Sequence, residues 1–226
     1  MKTKLILLLS IIVLIGCTSK KNDDNFIQNA TGRYFFNADE IIEVYFKDKE
    51  LFLKWRNSDL KPLKVNDSTF YARELNEKLI FNTVNSRIVL AEKREHKNEK
   101  FVFSKLKEGE KTPSEYLNEN NFEKALAGYK TIRKNDSLSP VIRERSLNRK
   151  GYAYIRNGEY DKAITTFKIN IELYPNSSNT FDCLGDAYLK KQDTLEAINQ
   201  YKKALSINPE NRSAKRSLKK ISKNDD

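Results

Sequence analysis

Two stretches decide the fold: Leu147-Asn148-Arg149-Lys150-Gly151-Tyr152-Ala153-Tyr154 and Phe181-Asp182-Cys183-Leu184-Gly185-Asp186-Ala187-Tyr188. They are one pattern met twice, and the step that carries Gly151 onto Gly185 also carries Leu147 onto Phe181 and Tyr154 onto Tyr188. The same step persists downstream. Ala163 matches Ala197, Phe167 matches Tyr201 and Pro175 matches Pro209. A fixed period of this length is the mark of stacked supersecondary units, each too small to bury its apolar face alone. Gly151 and Gly185 suit a close helix–helix approach, and Ala163, Ala197 and Ala204 keep the facing helix small. Leu147, Tyr154, Phe167, Phe181, Leu184, Tyr188 and Tyr201 supply the filling. Pro175 and Pro209 stop each second helix, since proline cannot continue one. Gly158-Glu159 and Gln192-Asp193 mark the turns within each unit.

This pattern resembles the tetratricopeptide repeat almost residue for residue, except that Lys150 stands where Leu184 stands. The departure predicts looser packing on that side of the first copy. Full repeats are expected at 144–177 and 178–211, inside a helical domain over 112–221. A degenerate partial copy at 114–135 keeps Ala125 and Tyr129, which precede Ala163 and Phe167 by a step longer than the period. Ala214, Leu218 and Ile221 give a closing helix over 212–222, covering the last apolar face as an array requires. The resemblance implies an α–α superhelix whose concave face binds extended peptides or partner proteins. Carried by register, that face holds Arg145, Asn148, Tyr152, Arg156, Asn179, Asp182, Asp186 and Leu189. The set is mixed in sign, which does not suit a clamp for a terminal carboxylate. Tyr152 stands out as an amphipathic anchor.

Upstream, residues 31–108 read differently. Short runs rich in Phe, Tyr, Val and Ile recur about every ten residues between polar turns, from Tyr34-Phe35-Phe36 to Phe101-Val102-Phe103. Alternation is clearest in Ile42-x-Val44-x-Phe46 and Leu51-x-Leu53-x-Trp55. The spacing predicts a small antiparallel barrel or sandwich of seven or eight strands. The opening Gly32-Arg33-Tyr34 resembles the start of a β module appended to some penicillin-binding-protein-like serine hydrolases. The fold class is therefore multidomain: a small antiparallel β domain followed by an α–α repeat superhelix.

The first residues read as an address. Lys2 and Lys4 precede the apolar run Leu5–Ile15. Eleven helical residues reach about 17 Å, short of a hydrocarbon core of roughly 30 Å. A basic start and a short apolar run read as a signal peptide over 1–16. It ends in Leu14-Ile15-Gly16-Cys17, which resembles the lipobox of bacterial lipoproteins. That resemblance implies cleavage before Cys17, a diacylated Cys17 and a lipid anchor. Residues 17–30 are expected to be a polar tether. Thr18 differs from the Asp that follows the acylated Cys in proteobacterial lipoproteins kept at the inner membrane, and the nearby charges resemble the surface-export signal of Bacteroidetes lipoproteins, so the outer membrane is expected, in either leaflet.

The chain has 226 residues, with 42 basic and 31 acidic side chains, a formal charge of +11. Residues 111–226 carry 22 basic and 15 acidic residues, so the excess belongs to the helices. The closing helix is its densest part, with Arg212, Lys215, Arg216, Lys219 and Lys220. Such a cluster is most simply read as solubility; in an exported protein, attraction to anionic lipid or a lipopolysaccharide surface comes before nucleic acid. One His and two Cys leave little for a metal site, and no metal or cofactor is expected. Ser104-x-x-Lys107 and Ser217-x-x-Lys220 lack the companion motifs of a serine hydrolase. His96 falls in a charged turn and reads as surface. The expected function is non-catalytic: a lipid-anchored envelope adaptor with a protein or peptide partner. The alternative is an accessory or small-ligand-binding lipoprotein using its β domain.

Overall fold

The computed structural model describes residues 21–135 and 139–223. Cys17 and the expected signal segment lie outside them. The described chain begins with helix α1 (Asp24–Ala30) and nine strands: β1 (Gly32–Phe35), β2 (Ile41–Lys47), β3 (Glu50–Trp55), β4 (Ser58–Leu60), β5 (Leu63–Lys64), β6 (Thr69–Ala72), β7 (Glu77–Asn82), β8 (Arg87–Leu90) and β9 (Val102–Ser104). Seven helices follow: α2 (Pro113–Asn118), α3 (Phe122–Asn135), α4 (Glu144–Arg156), α5 (Tyr160–Leu173), α6 (Ser178–Lys190), α7 (Thr194–Ile207) and α8 (Arg212–Ser222). Two compact units result. One joins the described residues up to Gly32 with Glu43–Phe103, and the other joins Arg33–Ile42 with the described residues from Ser104 on.

In the β unit, β2, β3 and β4 form an antiparallel meander, with Val44 opposite Leu53 and Phe46 opposite Leu51. Asp48-Lys49 and Arg56-Asn57 turn its two hairpins, all four at positive φ. Two-residue turns of this hand match the twist of the flanking strands, which is why non-glycine residues accept the left-handed region there. Strands β5 to β9 form a second sheet in chain order. The strands belong to two antiparallel sheets, and no closed barrel forms among the described residues. Nine strands are present there, where the spacing predicted seven or eight; β4 and β5 have only three and two residues.

Residues 24–30, expected within the tether, form α1. Asp23 caps it by accepting from the Phe26 amide at 2.8 Å. Phe26 is buried, with its ring 5.7 Å from Phe70, 5.6 Å from Phe81 and 6.0 Å from Phe46. One aromatic thus nails an otherwise polar segment into the core. Asn22 is buried too, bonding the Lys49 carbonyl through its amide and its side chain. His96 is half-buried rather than on the surface: its Nε2 lies 3.1 Å from the Glu77 carboxylate and its ring packs edge-on against Phe101.

In the helical unit, α4 pairs with α5 and α6 with α7. The glycines explain how closely. A Cβ at Gly151 would lie 2.4 Å from the Phe167 ring, and one at Gly185 2.6 Å from the Tyr201 ring. The aromatic of the second helix occupies the space a side chain on the first would need. Leu147, Ala163, Phe167, Leu184, Ala197, Tyr201 and Ala204 are buried, while Tyr154, Phe181 and Tyr188 are half-buried in the same clusters. Pro175 and Pro209 are exposed just past the ends of α5 and α7. Asn211 caps α8, and Ala214 and Ile221 bury against Tyr201 and Ala204.

The α2–α3 pair solves the packing problem in reverse. One offset carries Pro113 onto Gly151 and Tyr129 onto Phe167, so a proline stands where the later copies have glycine. With a proline on the first helix, clearance moves to the second: a Cβ at Gly128 would lie 2.6 Å from the Pro113 ring. Thr112 and Glu115 close a capping box at the start of α2.

Residues Arg33–Ile42 complete this unit. Ala38 is fully buried in one cluster with Leu117, Ala125, Tyr129, Ile142, Leu147, Ile169 and Leu173. Its carbonyl accepts from the Ser114 amide at 3.0 Å, and Arg33 forms an ion pair with Glu115.

Candidate functional site

The first helices of the two full repeats, α4 and α6, carry all eight residues expected on the concave face. The structure joins two of them, Tyr152 and Asp186, together with Tyr201 of α7. The Tyr152 hydroxyl donates to Asp186 Oδ2 at 2.7 Å, and the Tyr201 hydroxyl donates to Asp186 Oδ1 at 2.8 Å. Tyr152 also packs edge-on to Phe167. It is therefore half-buried and committed to an inter-repeat tie. Burial, with Cys183 and Asp186 beside it, pushes its hydroxyl well above the usual tyrosine range, so it stays neutral.

Asp182, one turn before Asp186, is 5% exposed, and its Oδ1 has no hydrogen-bond partner in the described structure. Burial pushes its carboxyl up to about 6; a bond from Ser213 opposes this and the Asp186 charge adds to it. Cys183 is buried and pushed up to about 12, chiefly by burial, so it is protonated and inert at neutral pH. Asn148 is buried and accepts from Asn170 Nδ2 at 2.7 Å. Leu189 is half-buried against the α7–α8 cluster. Asn179 is exposed and donates to Glu144 Oε1 at 2.9 Å. Arg145 and Arg156 are exposed. Of the eight, then, Arg145, Arg156 and Asn179 are exposed, Tyr152 and Asp186 tie the two repeats, Asn148 bonds within the first, Leu189 packs toward α7 and α8, and Asp182 is buried.

A second feature was only half legible. An open cavity of about 700 Å³ lies beside α2 and α4, with Arg149, Lys150, Arg156, Ser146 and Asn118 among its lining and Asp39 at its edge. Lys150 Nζ reaches Asp39 Oδ1 at 2.5 Å and also bonds the Ser114 hydroxyl, which meets the Tyr129 hydroxyl at 3.2 Å. Burial opposes the Lys150 charge, but the Tyr129 hydroxyl and the Asp39 carboxylate outweigh it, and the pKa rises. The signal was Lys150 itself, a lysine at a leucine position. Asp39 comes from a turn between β1 and β2, far upstream in the chain and beyond any local reading.

Family models described as tetratricopeptide repeats match residues 147–177 and 179–211. Within the helical unit, the stretch over 147–211 is a tetratricopeptide-repeat region. Two curated proteins share part of it. The chloroplastic tetratricopeptide repeat domain-containing protein PYG7 of Arabidopsis thaliana is 34% identical over 68 residues, 30% of this chain and 23% of its own length. Tetratricopeptide repeat protein 37 of Xenopus laevis is 32% identical over 62 residues, 27% of this chain and 4% of its own. The chain thus spans less than a quarter of either relative. Among solved structures, the first tetratricopeptide domain of human RPAP3 is 22% identical with a TM-score of 0.35, covering 49% of this chain and 84% of its own. The Sgt2 domain from Aspergillus fumigatus is 20% identical with a TM-score of 0.35, covering 50% and 73%.

Proposed function

We propose that the protein is a lipid-anchored envelope adaptor that binds a protein or peptide segment through its tetratricopeptide region. The observation that carries the binding reading is the cavity beside α4, rimmed by the exposed Arg149 and Arg156. Arg145 lies on the same helix. Ser114, Ser146 and Asn118 add hydrogen-bonding groups, and Val141, Leu147 and Ala153 add apolar wall. A pocket of mixed apolar wall and a few polar groups is the usual form of a recognition site. The cationic rim suits a partner segment bearing a carboxylate. The reading favours Arg149 and Arg156 over Tyr152 of the same helix, whose hydroxyl already donates to Asp186.

The anchor reading is supported by Leu14-Ile15-Gly16-Cys17 after the short apolar run. More than one acyl chain is needed for stable anchoring, and a diacylated Cys17 would supply them. Two experiments test the proposal. Mass spectrometry of the chain expressed in a bacterium that processes lipoproteins is expected to show an acylated Cys17 and loss of residues 1–16; an unmodified, uncleaved N-terminus overturns the anchor. An affinity capture from detergent-solubilised envelopes is expected to retain a partner with wild type and with Tyr152→Phe. Arg149→Glu with Arg156→Glu is expected to lose it. Equal retention by all three chains removes the cavity as the binding site.

A further inference from the structure

The charge of the helical unit is not spread evenly. Between Lys190 and Lys223 there are ten basic and three acidic residues. Within α8 itself there are five basic residues and no acid. Arg212, Lys215, Arg216, Lys219 and Lys223 follow a helical spacing of three, four, seven and eleven from the first, so they form one stripe. All five are exposed, as is Lys220. Only Lys215 has an acidic partner among the described residues, Glu210 at 3.3 Å. Helix chemistry does not favour this arrangement. Arg212–Arg216, Lys215–Lys219, Arg216–Lys220 and Lys219–Lys223 are like charges four apart, each of which weakens a helix. No acid sits in the first turn to offset Arg212 against the positive end of the helix dipole. The helix holds because Ala214, Leu218 and Ile221 pack on α7, so its stability is supplied from the other face.

We infer that the exposed stripe of α8 is an electrostatic contact for the headgroups of an anionic phospholipid bilayer. The inference rests on the anchor reading above for why a bilayer is at hand, and on the stripe for what the bilayer must offer. Eleven helical residues present a straight row about 16 Å long, suited to a flat charged surface. The apolar face of α8 is spent inside the fold. The helix therefore cannot sink into the bilayer as a free amphipathic helix does, and the contact is made by charge alone. A contact of that kind scales with anionic lipid content and fades as salt shortens the Debye length.

The test uses the full chain with vesicles of phosphatidylcholine alone, or with about a third phosphatidylglycerol, at about 50 mM and about 500 mM salt. Acetylation of Lys215, Lys219, Lys220 and Lys223 is read by mass spectrometry against Lys54 and Lys78 of the β unit. With anionic vesicles at low salt, labelling of the α8 lysines is expected to fall about fivefold or more and to recover at high salt. The variant Arg216→Glu/Lys219→Glu/Lys220→Glu is expected to lose the protection of Lys215 and Lys223 while keeping its circular dichroism and melting profile. Equal labelling on both vesicle types overturns the inference. So does a DNA duplex that protects the same lysines as well as the anionic vesicles do at equal salt. A chain that fails to sediment with neutral vesicles counts against the anchor; protection on anionic vesicles still upholds the stripe in that case.

Discussion

The two full repeats share one skeleton, and among their differences three pairs, each one period apart, set what they touch. Asn148 becomes Asp182, Lys150 becomes Leu184 and Tyr152 becomes Asp186. Where they agree, the geometry agrees: Gly151 admits Phe167 as Gly185 admits Tyr201. Where they differ, the second repeat closes on itself and the first reaches outward. Leu184 is 3% exposed in the α5–α6 core, whereas Lys150 extends to Asp39 and Ser114. The common skeleton sets the fold, and the departures set what each repeat touches. The skeleton is also where disruption costs most. Gly185→Ala puts a methyl 2.6 Å from the ring of the fully buried Tyr201. A loss of ~3 kcal/mol is expected from such overpacking, measured by chemical denaturation. Gly151→Ala should match it within ~1 kcal/mol, since its clearance is as tight. A large disparity would break the equivalence of the two repeats.

The pair Asn148 and Asp182 is the next point of contrast. Asn148 is neutral and its oxygen accepts from Asn170. Asp182 is as deeply buried, has an orphaned oxygen and sits one turn from a second carboxylate. Its pKa is raised to about 6 in the fold, against about 4 for a free aspartate. The folded state therefore binds this proton more tightly than the unfolded chain. Stability from this group is greatest below about pH 4, falls as pH rises to about 6, and stays low above that. Asp182→Asn gives the second repeat the neutral residue of the first. It is expected to raise stability by ~2 kcal/mol at pH 8 and to flatten the fall between pH 4 and 6. Melting curves at pH 4, 6 and 8 check this. An unchanged pH slope in the variant would mean that another group carries it.

The same contrast separates what could be read from the sequence. The helical repeats were legible because period, glycine and proline each point to a separate physical need that recurs one repeat later. The role of Arg33–Ile42 was not legible. Nothing in Asn37-Ala38-Asp39 says that Ala38 will fill a helical core, since one alanine carries no period and its partners all lie on elements beyond Thr112. The helix at 24–30 escaped for a similar reason. Its only apolar commitment is the buried pair Phe26 and Ala30, too few residues to show a periodicity. In the candidate site, register put the eight residues on what the structure shows to be α4 and α6. It could not tell which of them would be consumed by one another, because Tyr152 and Asp186 bond across the very period that identifies them.

Lys150 sharpens the comparison most directly, although its energetic effect is expected to be the smallest. If the lysine were merely a poor leucine, Lys150→Leu would tighten the first repeat. The structure points the other way. Removing the ammonium leaves Asp39 Oδ1 without its cation, while the Ser114 hydroxyl keeps its bonds to Asp39 and to the Tyr129 hydroxyl. The Lys150 side chain is 22% exposed and that of Asp39 46%, so water compensates part of the loss. A destabilisation of ~1 kcal/mol is expected for both Lys150→Leu and Lys150→Ala. In the double variant Asp39→Ala/Lys150→Leu the cost should shrink, because no stranded charge remains. A double-mutant cycle in urea measures this directly. Strict additivity would show that the first repeat is held by its own core, and that the turn bearing Asp39 contributes nothing through this ion pair.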